Sequence, residues 1–285
     1  MNGISLATGE AVIRRPDRRF QGYAFDLDGT VYLGDALLPR AAETIADIRE
    51  HGGRVVFVTN KPLFSATEYA EKLTRLGLPA SAADVVTALD SLLLYLGERH
   101  PRARVLTIAE PLVERTLAEA GWTVVAEPAA AEVVVVSFDR GFDYAKLEAA
   151  YRAVRQRGAA IVATNPDPYC PTPDGGLPDC AAMLAALEAC TGARAEAVLG
   201  KPSETMGRAL LKRLGSAPEQ AALVGDRLST DVAMGQRVGM AGVLVLSGAT
   251  EAAAVAQSPV VPDYVVEGIH RVLPEQAGDP RSERE

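Results

Sequence analysis

Two aspartates, Asp26 and Asp28, directly follow an apolar, β-rich run at residues 22–25. At the end of a strand in a parallel α/β sheet, side chains face the crevice in which ligands bind. Leu27 separates the two carboxylates, so both can face that crevice, and Gly29 permits a tight turn. Paired acids of this kind either bind a hard cation or supply a carboxylate nucleophile with a neighbouring acid or base. On its own, the motif is also compatible with a simple turn rich in Asp and Gly.

Two further polar groups stand at the ends of predicted strands. Thr59 and Asn60 follow the apolar run at residues 54–58, and a hydroxyl and an amide there can donate hydrogen bonds to a phosphate. Lys201 follows a short predicted strand at residues 197–199, where its ammonium group could neutralise phosphate charge. Taken alone, the first group also suits a helix N-cap and the second a solvated lysine.

A second pair of acids lies further along the chain. Asp226 stands at the tip of the predicted strand 221–224, and Asp231 lies at the start of the next predicted helix, at residues 230–238. An acid in the first helical turn also favours the helix dipole, so Asp231 has a purely structural alternative. Polar groups at four strand ends indicate a ligand site more strongly than any one of them, because ligands of α/β sheets bind at those ends.

The polar groups depend on an alternation of strands and helices. Residues 41–50 carry apolar side chains at helical spacing between the first two strands, which makes a βαβ unit and predicts a parallel sheet. Ser65 and Glu68 predict a capping box at the start of the following helix. Further strands are predicted at residues 105–108, 133–136, 160–163, 243–246 and 264–266, and further helices at 65–76, 89–98, 112–120, 144–157, 181–189 and 205–214.

Composition restricts the classes of protein and partner. The 285 residues are 48% hydrophobic and 23% charged, which is typical of globular proteins. The net charge is −8 and basic residues are largely scattered, so nucleic acid is not expected as a partner. No apolar run reaches membrane-spanning length, so no membrane partner is expected either. The three cysteines match no zinc pattern and fit buried or idle thiols, from which we expect a cytoplasmic protein.

In these motifs the sequence resembles the haloacid dehalogenase (HAD) superfamily of phosphotransferases. The four-motif signature is present as Asp26-Leu27-Asp28-Gly29-Thr30, Thr59, Lys201, and Asp226 with Asp231. Residues 139–147, 163–167 and 172–175 resemble the p-nitrophenyl phosphatase-like, NagD-like subfamily (subfamily IIA), which carries a large cap of the C2 type. The resemblance covers about residues 20–270. It implies an α/β fold with a doubly wound, Rossmann-like parallel-sheet core and an inserted α/β cap domain.

The spacing of the motifs agrees with an insertion. Asn60 and Lys201 are 141 positions apart, whereas one crossover of a doubly wound sheet needs only about a few tens of residues. Asp139 and Arg140, within the insertion, either line the face of the cap or lie in an exposed turn, and the exposed turn is expected. The expected domains are an N-terminal extension at 1–19, a catalytic core at 20–86 and 185–274, a specificity-setting cap at 87–184, and a disordered tail at 275–285.

The resemblance implies separate roles for the aspartates. Asp26 would attack phosphorus and form an aspartyl-phosphate. Asp28 would protonate the leaving oxygen and then deprotonate the water that hydrolyses the intermediate. Mg²⁺ would be bound by the Asp26 side chain, the Asp28 backbone carbonyl and Asp226, while Asp231 would orient the shell around the ion.

The resemblance also implies that Thr59, the backbone of Asn60, and Lys201 hold the phosphoryl oxygens. Many relatives read Thr-Asn-Asn where this chain has Lys61 in the third position. Lys61 either contacts a second anionic group of the substrate or is solvated. Pro178-Asp179-Cys180 stands where relatives often have a glycine-rich turn, and this departure concerns substrate choice rather than chemistry.

The expected function is hydrolysis of a small phosphorylated metabolite such as a sugar phosphate, a nucleoside monophosphate, phosphoglycolate or pyridoxal phosphate. The alternatives are a phosphotransferase that uses the same aspartyl-phosphate, and a catalytically dead phosphate-binding module. Asp28 favours hydrolysis because water needs a base, and the intact Asp26, Lys201 and Asp226 argue against a dead module. Relatives often dimerise through the cap, so the resemblance also implies a homodimer.

Overall fold

A computed structural model describes residues 13–170 and 175–275. Three parts of the sequence predictions lie outside the described residues. These are residues 1–12 of the predicted extension, residues 172–174 of the third stretch that resembles the NagD-like subfamily, and residues 276–285 of the predicted tail.

Strands and helices alternate along most of the described chain, as the sequence predicts. The strands are β1 (Gly22–Asp26), β2 (Tyr32–Leu33), β3 (Ala36–Leu37), β4 (Arg54–Thr59), β5 (Val85–Thr87), β6 (Arg104–Ile108), β7 (Thr123–Val124), β8 (Val133–Val136), β9 (Ala160–Ala163), β10 (Tyr169–Cys170), β11 (Leu177–Pro178), β12 (Ala197–Val198), β13 (Ala221–Gly225), β14 (Ala241–Val245) and β15 (Tyr264–Val266). The helices are α1 (Ala41–Glu50), α2 (Ala66–Arg75), α3 (Ala88–Arg99), α4 (Pro111–Glu119), α5 (Tyr144–Arg157), α6 (Cys180–Thr191), α7 (Glu204–Leu214), α8 (Ala233–Arg237) and α9 (Ala252–Val255).

The described residues form two compact units. The first contains the chain up to Val58, residues 73–79, and the chain from Leu210 onward. The second contains residues 59–72 and 80–209, a range wider than the predicted cap at 87–184. Each unit has its own parallel sheet, because each contains several strands that are separated by helical crossovers.

The sheet of the first unit reverses its direction of growth between β1 and β13. The strands of this sheet that lie in the first unit have the order β4-β1-β13-β14-β15, and all neighbours are parallel. From β1 the chain continues to β4 on one side, whereas from β13 it continues to β14 on the other. The carboxyl ends of β1 and β13 therefore flank a topological switch point, where ligands of α/β sheets bind.

Residues 13–19 are attached to the edge of this sheet. Arg14 and Val265 in β15 exchange backbone hydrogen bonds of 2.7 and 3.0 Å. The guanidinium of Arg14 lies 5.3 Å from the ring centroid of Tyr264, whose hydroxyl donates to Asp17 at 2.8 Å. This part of the predicted extension thus covers the outer strand of the sheet.

The second unit is an α/β sandwich built on the order β7-β6-β8-β9-β12, again all parallel. The four valines of β8 are completely buried and alternate between two cores. Val134 and Val136 pack in the core that α5 and α6 cover, and Val133 and Val135 pack in the core that α3 and α4 cover. An uninterrupted valine run is typical of a strand buried on both faces.

Most elements confirm the predictions to within a few residues, and β8, α5, β9 and β15 match them fully. The capping box is also confirmed, because Ser65 N–H donates to Glu68 Oε2 at 2.7 Å and Glu68 N–H donates to Ser65 Oγ at 3.3 Å. The short strands β2, β3, β5, β7, β10 and β11 were not predicted. With two or three residues each, they are too short to produce a hydrophobic period.

The expectation of an exposed turn at Asp139 and Arg140 is wrong for Asp139. Its side chain is buried and accepts a 2.6 Å hydrogen bond from Lys146 Nζ and a 2.9 Å bond from Gly141 N–H. These two donors compensate the lost hydration of the carboxylate. Arg140 is exposed, as predicted, and pairs with Glu110 at 2.8 Å.

The three cysteines carry free thiols. Cys170 and Cys180 are buried, whereas Cys190 is exposed. Burial raises the pKa of the Cys180 thiol to about 11, which keeps it protonated and unreactive at neutral pH. Within the described ranges, no helix combines the length and the apolar character that crossing a membrane requires.

Candidate active site

Three buried carboxylates meet at the switch point of the first unit. Asp26 ends β1, Asp226 directly follows β13, and Asp231 lies in the turn after it. One oxygen from each carboxylate lies within 4.8 Å of the other two, and the residues are only 7%, 4% and 1% exposed. Three buried negative charges at this separation repel one another strongly, and carboxylate oxygens are the ligands that hard divalent cations prefer. The donor set fits Mg²⁺.

Asp231 reaches this cluster because the chain makes a wide turn before α8. The helix predicted at residues 230–238 instead starts as a π-helical turn at Leu228–Val232 and becomes α-helical at Ala233. The Asp231 carboxylate accepts a 3.1 Å hydrogen bond from Arg227 N–H and lies over Gly225. A Cβ atom at Gly225 would stand 2.2 Å from Asp231 Cγ, so only glycine fits there.

Asp226 is held by a loop that the sequence analysis missed. Ala249 N–H donates to Asp226 Oδ2 at 2.7 Å, and the Thr250 hydroxyl donates to the Asp226 backbone oxygen. Two glycines approach the same carboxylate: a Cβ atom would stand 2.7 Å from Asp226 Oδ2 at Gly29 and 2.2 Å from it at Gly248. The available signal was a Gly-Ala-Thr sequence just after the predicted strand 243–246.

Asp28 lies in the tight turn that follows β1 and is half-buried. Gly29, at a φ of +87°, makes this turn possible, and its N–H donates to Tyr32 O at 2.8 Å. The Asp28 carboxylate is not a member of the three-carboxylate group. The two aspartates of the motif therefore occupy different environments, as two different chemical roles would require.

In the second unit, the structure brings together Asn60 and Lys201. The Lys201 backbone N–H donates to Asn60 Oδ1 at 2.6 Å, and Asn60 Nδ2 donates to the Lys201 backbone oxygen at 3.1 Å. Both residues are buried, and so is Thr59, the last residue of β4. The Thr59 hydroxyl accepts a 3.1 Å bond from Lys61 N–H, which fixes the backbone of the half-buried Lys61.

Three further residues surround this pair and were not predicted as site residues. Asn165 and Asp167 lie in the loop after β9, and both hydrogen-bond to Asn60. Asp179 caps α6 and is buried; its desolvation, together with the negative charge of Asp167, raises its pKa to about 6. Lys61 opposes this shift through its positive charge. Sequence separation hid these contacts, because the loop after β9 meets Asn60 only in the folded chain.

Comparison with known proteins agrees with this fold and site. The chain matches a family model of haloacid dehalogenase-like hydrolases over residues 23–123 and a second, HAD-hydrolase-like model over residues 198–272. It is 33% identical to the sugar-phosphatase AraL of Bacillus subtilis, over 88% of this chain and 91% of AraL. It is 30% identical to human glycerol-3-phosphate phosphatase, over 89% and 90% of the two chains.

A solved structure gives the same result at the level of the fold. The 4-nitrophenylphosphatase of Thermotoga maritima superimposes with a TM-score of 0.83 at 31% identity, covering 89% of this chain and 96% of that one. A parallel α/β fold with acids at its switch point and this set of relatives defines a phosphatase. The chain belongs to the haloacid dehalogenase superfamily, within its p-nitrophenyl phosphatase-like, NagD-like group.

The Gly248→Ala substitution is expected to destabilise the first unit by about 1–3 kcal/mol, because the new methyl group would overlap the Asp226 carboxylate. Gly97→Ala is the matched control: it lies inside α3, and a Cβ atom there would have no neighbour within 4 Å. The control should raise stability by up to about 1 kcal/mol, since alanine favours helices. Urea unfolding midpoints measure both, and equal midpoints for the two variants would contradict the steric argument.

The Asp179→Asn substitution is expected to change how stability depends on pH. The pKa of Asp179 rises from 3.8 to about 6 on folding, so the folded state binds more protons than the unfolded state between these values. The contribution of Asp179 to the free energy of unfolding of the wild type therefore falls as pH rises from about 4 to 6. Asparagine still caps α6 but does not titrate, so the variant should gain on the wild type by at most about 3 kcal/mol over that range.

Free energies of unfolding measured at pH 4 and pH 7 test this expectation. Asp143→Asn, at the exposed N-cap of α5, is the control: it measures how replacing an N-cap aspartate by asparagine changes the free energy of unfolding. After subtraction of that contribution, a difference between Asp179→Asn and wild type that stays constant with pH would contradict the raised pKa.

Proposed function

We propose that this protein is a Mg²⁺-dependent hydrolase that removes the phosphoryl group from small phosphorylated metabolites through an aspartyl-phosphate at Asp26. The observation that carries the proposal is the group of three buried carboxylates, Asp26, Asp226 and Asp231, at the switch point of a parallel sheet. The family resemblance implies that Asp26 and Asp226 bind the metal ion and that Asp231 orients the shell around it.

Mg²⁺ would be bound by the Asp26 side chain, the backbone carbonyl of Asp28, and Asp226, with Asp231 orienting the surrounding shell. The ion would supply positive charge that allows an anionic carboxylate to approach an anionic phosphate. The N–H of Ala249 and the Thr250 hydroxyl hold Asp226, and the Arg227 N–H holds Asp231. These donors would keep the carboxylates in place for binding.

In the first step an oxygen of Asp26 attacks phosphorus, and the bond from phosphorus to the leaving oxygen breaks. Asp28, in its protonated form, gives that oxygen its proton and the alcohol leaves. Water then attacks the phosphorus of the aspartyl-phosphate while Asp28 takes a proton from it. The Asp26–phosphate bond breaks, inorganic phosphate leaves, and both carboxyl groups return to their starting states. Asp28 can serve both steps because one proton is lent and recovered.

The phosphoryl oxygens would be held by Thr59, the backbone of Asn60, and Lys201, because charge stabilisation is the main requirement of phosphoryl transfer. Lys61 would contact a second anionic group of the substrate. The inserted residues 87–184 would set substrate specificity. A core at residues 20–86 and 185–274 would carry the chemistry.

The names of the relatives support a class of substrate. Their names include a sugar phosphatase and a glycerol-3-phosphate phosphatase, both of which act on small phosphorylated alcohols. We therefore propose a phosphomonoester of comparable size as the substrate. We also propose a cytoplasmic homodimer that associates through residues 87–184, and sedimentation velocity tests it: a monomer at micromolar concentration would exclude such a dimer.

Release of inorganic phosphate from a panel of phosphomonoesters, with Mg²⁺ or with a chelator, tests the function. We expect release that requires Mg²⁺ from at least one small sugar, glycerol or nucleoside phosphate. The absence of release from every member of the panel would reject a hydrolase. Transfer of the phosphoryl group to an added alcohol in place of water would favour the phosphotransferase.

Substitution of the two motif aspartates separates their roles. Asp26→Asn should lower kcat by on the order of 10³-fold or more, because the nucleophile is lost. Asp28→Asn should still form the covalent intermediate from p-nitrophenyl phosphate, whose leaving group needs no proton. The intermediate should then accumulate, because water lacks its base. Mass spectrometry of acid-quenched protein measures it, and a phosphorylated Asp26→Asn variant would remove Asp26 as the nucleophile.

A further inference from the structure

The side chain of Asn60 holds Lys201 by both of its backbone polar groups. Asn60 Oδ1 accepts from Lys201 N–H at 2.6 Å, and Asn60 Nδ2 donates to Lys201 O at 3.1 Å. The two residues are 141 positions apart, and both are buried. A double contact of this kind fixes the orientation of the Lys201 peptide, and with it the point from which the lysine side chain starts.

A closed ring of hydrogen bonds holds Asn60 itself. Asn60 Nδ2 donates to Asp167 Oδ2 at 3.0 Å, Asp167 N–H donates to Asn165 Oδ1 at 2.9 Å, and Asn165 Nδ2 donates to Asn60 O at 3.3 Å. Asn165 is completely buried. The loop after β9 therefore grips both the backbone and the side chain of Asn60.

The Asp167 carboxylate helps to fix which way the Asn60 amide faces. With Nδ2 toward Asp167 and the Lys201 carbonyl, Oδ1 is left for the Lys201 N–H, and every group has a complementary partner. A rotated amide would bring its oxygen against two acceptors and its NH₂ against a donor. The Asp167 oxygen therefore adds a second acceptor for Nδ2 and strengthens the orientation that the Lys201 peptide also favours.

Gly200 provides the space for this arrangement. Its φ is +69°, and a Cβ atom there would stand 2.7 Å from Asn60 Oδ1 and 2.9 Å from Thr164 O. No side chain other than hydrogen fits between the amide and the chain that leads to Lys201. Gly200, the Asn60 amide and the Asp167 carboxylate thus act together to hold the Lys201 peptide.

We propose that Asp167 is a positioning residue, which acts through the Asn60 side chain to hold Lys201 for the phosphoryl group. The role of Lys201 toward phosphate rests on the proposed function, whereas the hydrogen bonds that hold its peptide do not. The chemical consequence is that Asp167 affects phosphate affinity without contacting phosphate. Its effect passes through the neutral amide, so the acceptor oxygen of Asp167 is required and its charge is secondary.

The pair Asp167→Ala and Asp167→Asn tests this proposal. In the alanine variant the Asn60 amide loses one of its two acceptors, so hydrogen exchange of the Lys201 N–H should accelerate by about tenfold or more. The inhibition constant of inorganic phosphate should rise by about the same factor. In the asparagine variant the side-chain oxygen can still accept from Asn60 Nδ2, so both quantities should stay within about threefold of wild type.

Asp143→Ala serves as the control for general destabilisation, since it also removes one side-chain acceptor, that of Lys146 N–H at 2.8 Å. It should leave Lys201 exchange and the phosphate inhibition constant at wild-type values. If Asp167→Ala behaves like this control, or if Asp167→Asn loses as much as Asp167→Ala, the proposal is overturned.

Exchanging the hydrogen-bond donor and acceptor between positions 60 and 167 tests the proposal independently. This test also applies if Asp167→Ala does not fold. Asn60→Asp places an oxygen against Asp167, so Lys201 exchange should accelerate. Adding Asp167→Asn restores a donor to face that oxygen and should recover part of the protection, whereas no recovery would overturn the proposal. If the wild type neither releases nor binds phosphate, the proposed function fails, and Lys201 exchange in these variants still decides the positioning role.

Discussion

The mutual repulsion of three buried carboxylates is the constraint on which the rest of the site depends. Asp26, Asp226 and Asp231 lie in the first unit with oxygens within 4.8 Å of one another and almost no exposure to water. Such an arrangement is unfavourable unless a cation or firm hydrogen-bond donors compensate it. Backbone N–H groups of the fold donate to this cluster, from Ala249 to Asp226 and from Arg227 to Asp231, and the carboxylate oxygens together suit a hard cation.

The topology of the sheet is what allows the carboxylates to meet. β1 and β13 are neighbours, yet the chain continues from them to opposite sides of the sheet, which is the arrangement at which ligands of α/β sheets bind. The remaining room is created by glycines. Gly29, Gly225 and Gly248 each lie so close to an aspartate side chain that a methyl group would overlap it. The absence of side chains at these glycines thus leaves the space that the aspartate side chains occupy.

The second unit solves a different problem, the placement of a buried lysine. Lys201 is 4% exposed, and its peptide is held by an asparagine from a distant part of the chain. Asn60 in turn is gripped by Asn165 and Asp167 from the loop after β9. Every polar group named in this network has a complementary partner, which is the condition under which a buried polar network adds rigidity rather than cost.

The sequence by itself determined the elements and the chemical groups. Hydrophobic period and turn residues were sufficient for β8, α5, β9 and β15, and strand-end position was sufficient to single out Asp26, Asp226 and Lys201. These features are local, so neighbouring residues encode them. The sequence also predicted Asp231 near the site, although it placed that residue at the start of a regular helix.

Only the tertiary structure decided how these groups are held. The wide turn at Leu228–Val232, the loop at residues 248–250, and the contacts of Asn165 and Asp167 with Asn60 depend on strands that meet only after folding. The burial of Asp139 and Asp179 likewise depends on their packing in the folded unit, not on their neighbours in sequence. Residue types specify which reactions are available, whereas the separations and orientations that make them usable come from contacts between distant segments, which no local pattern encodes.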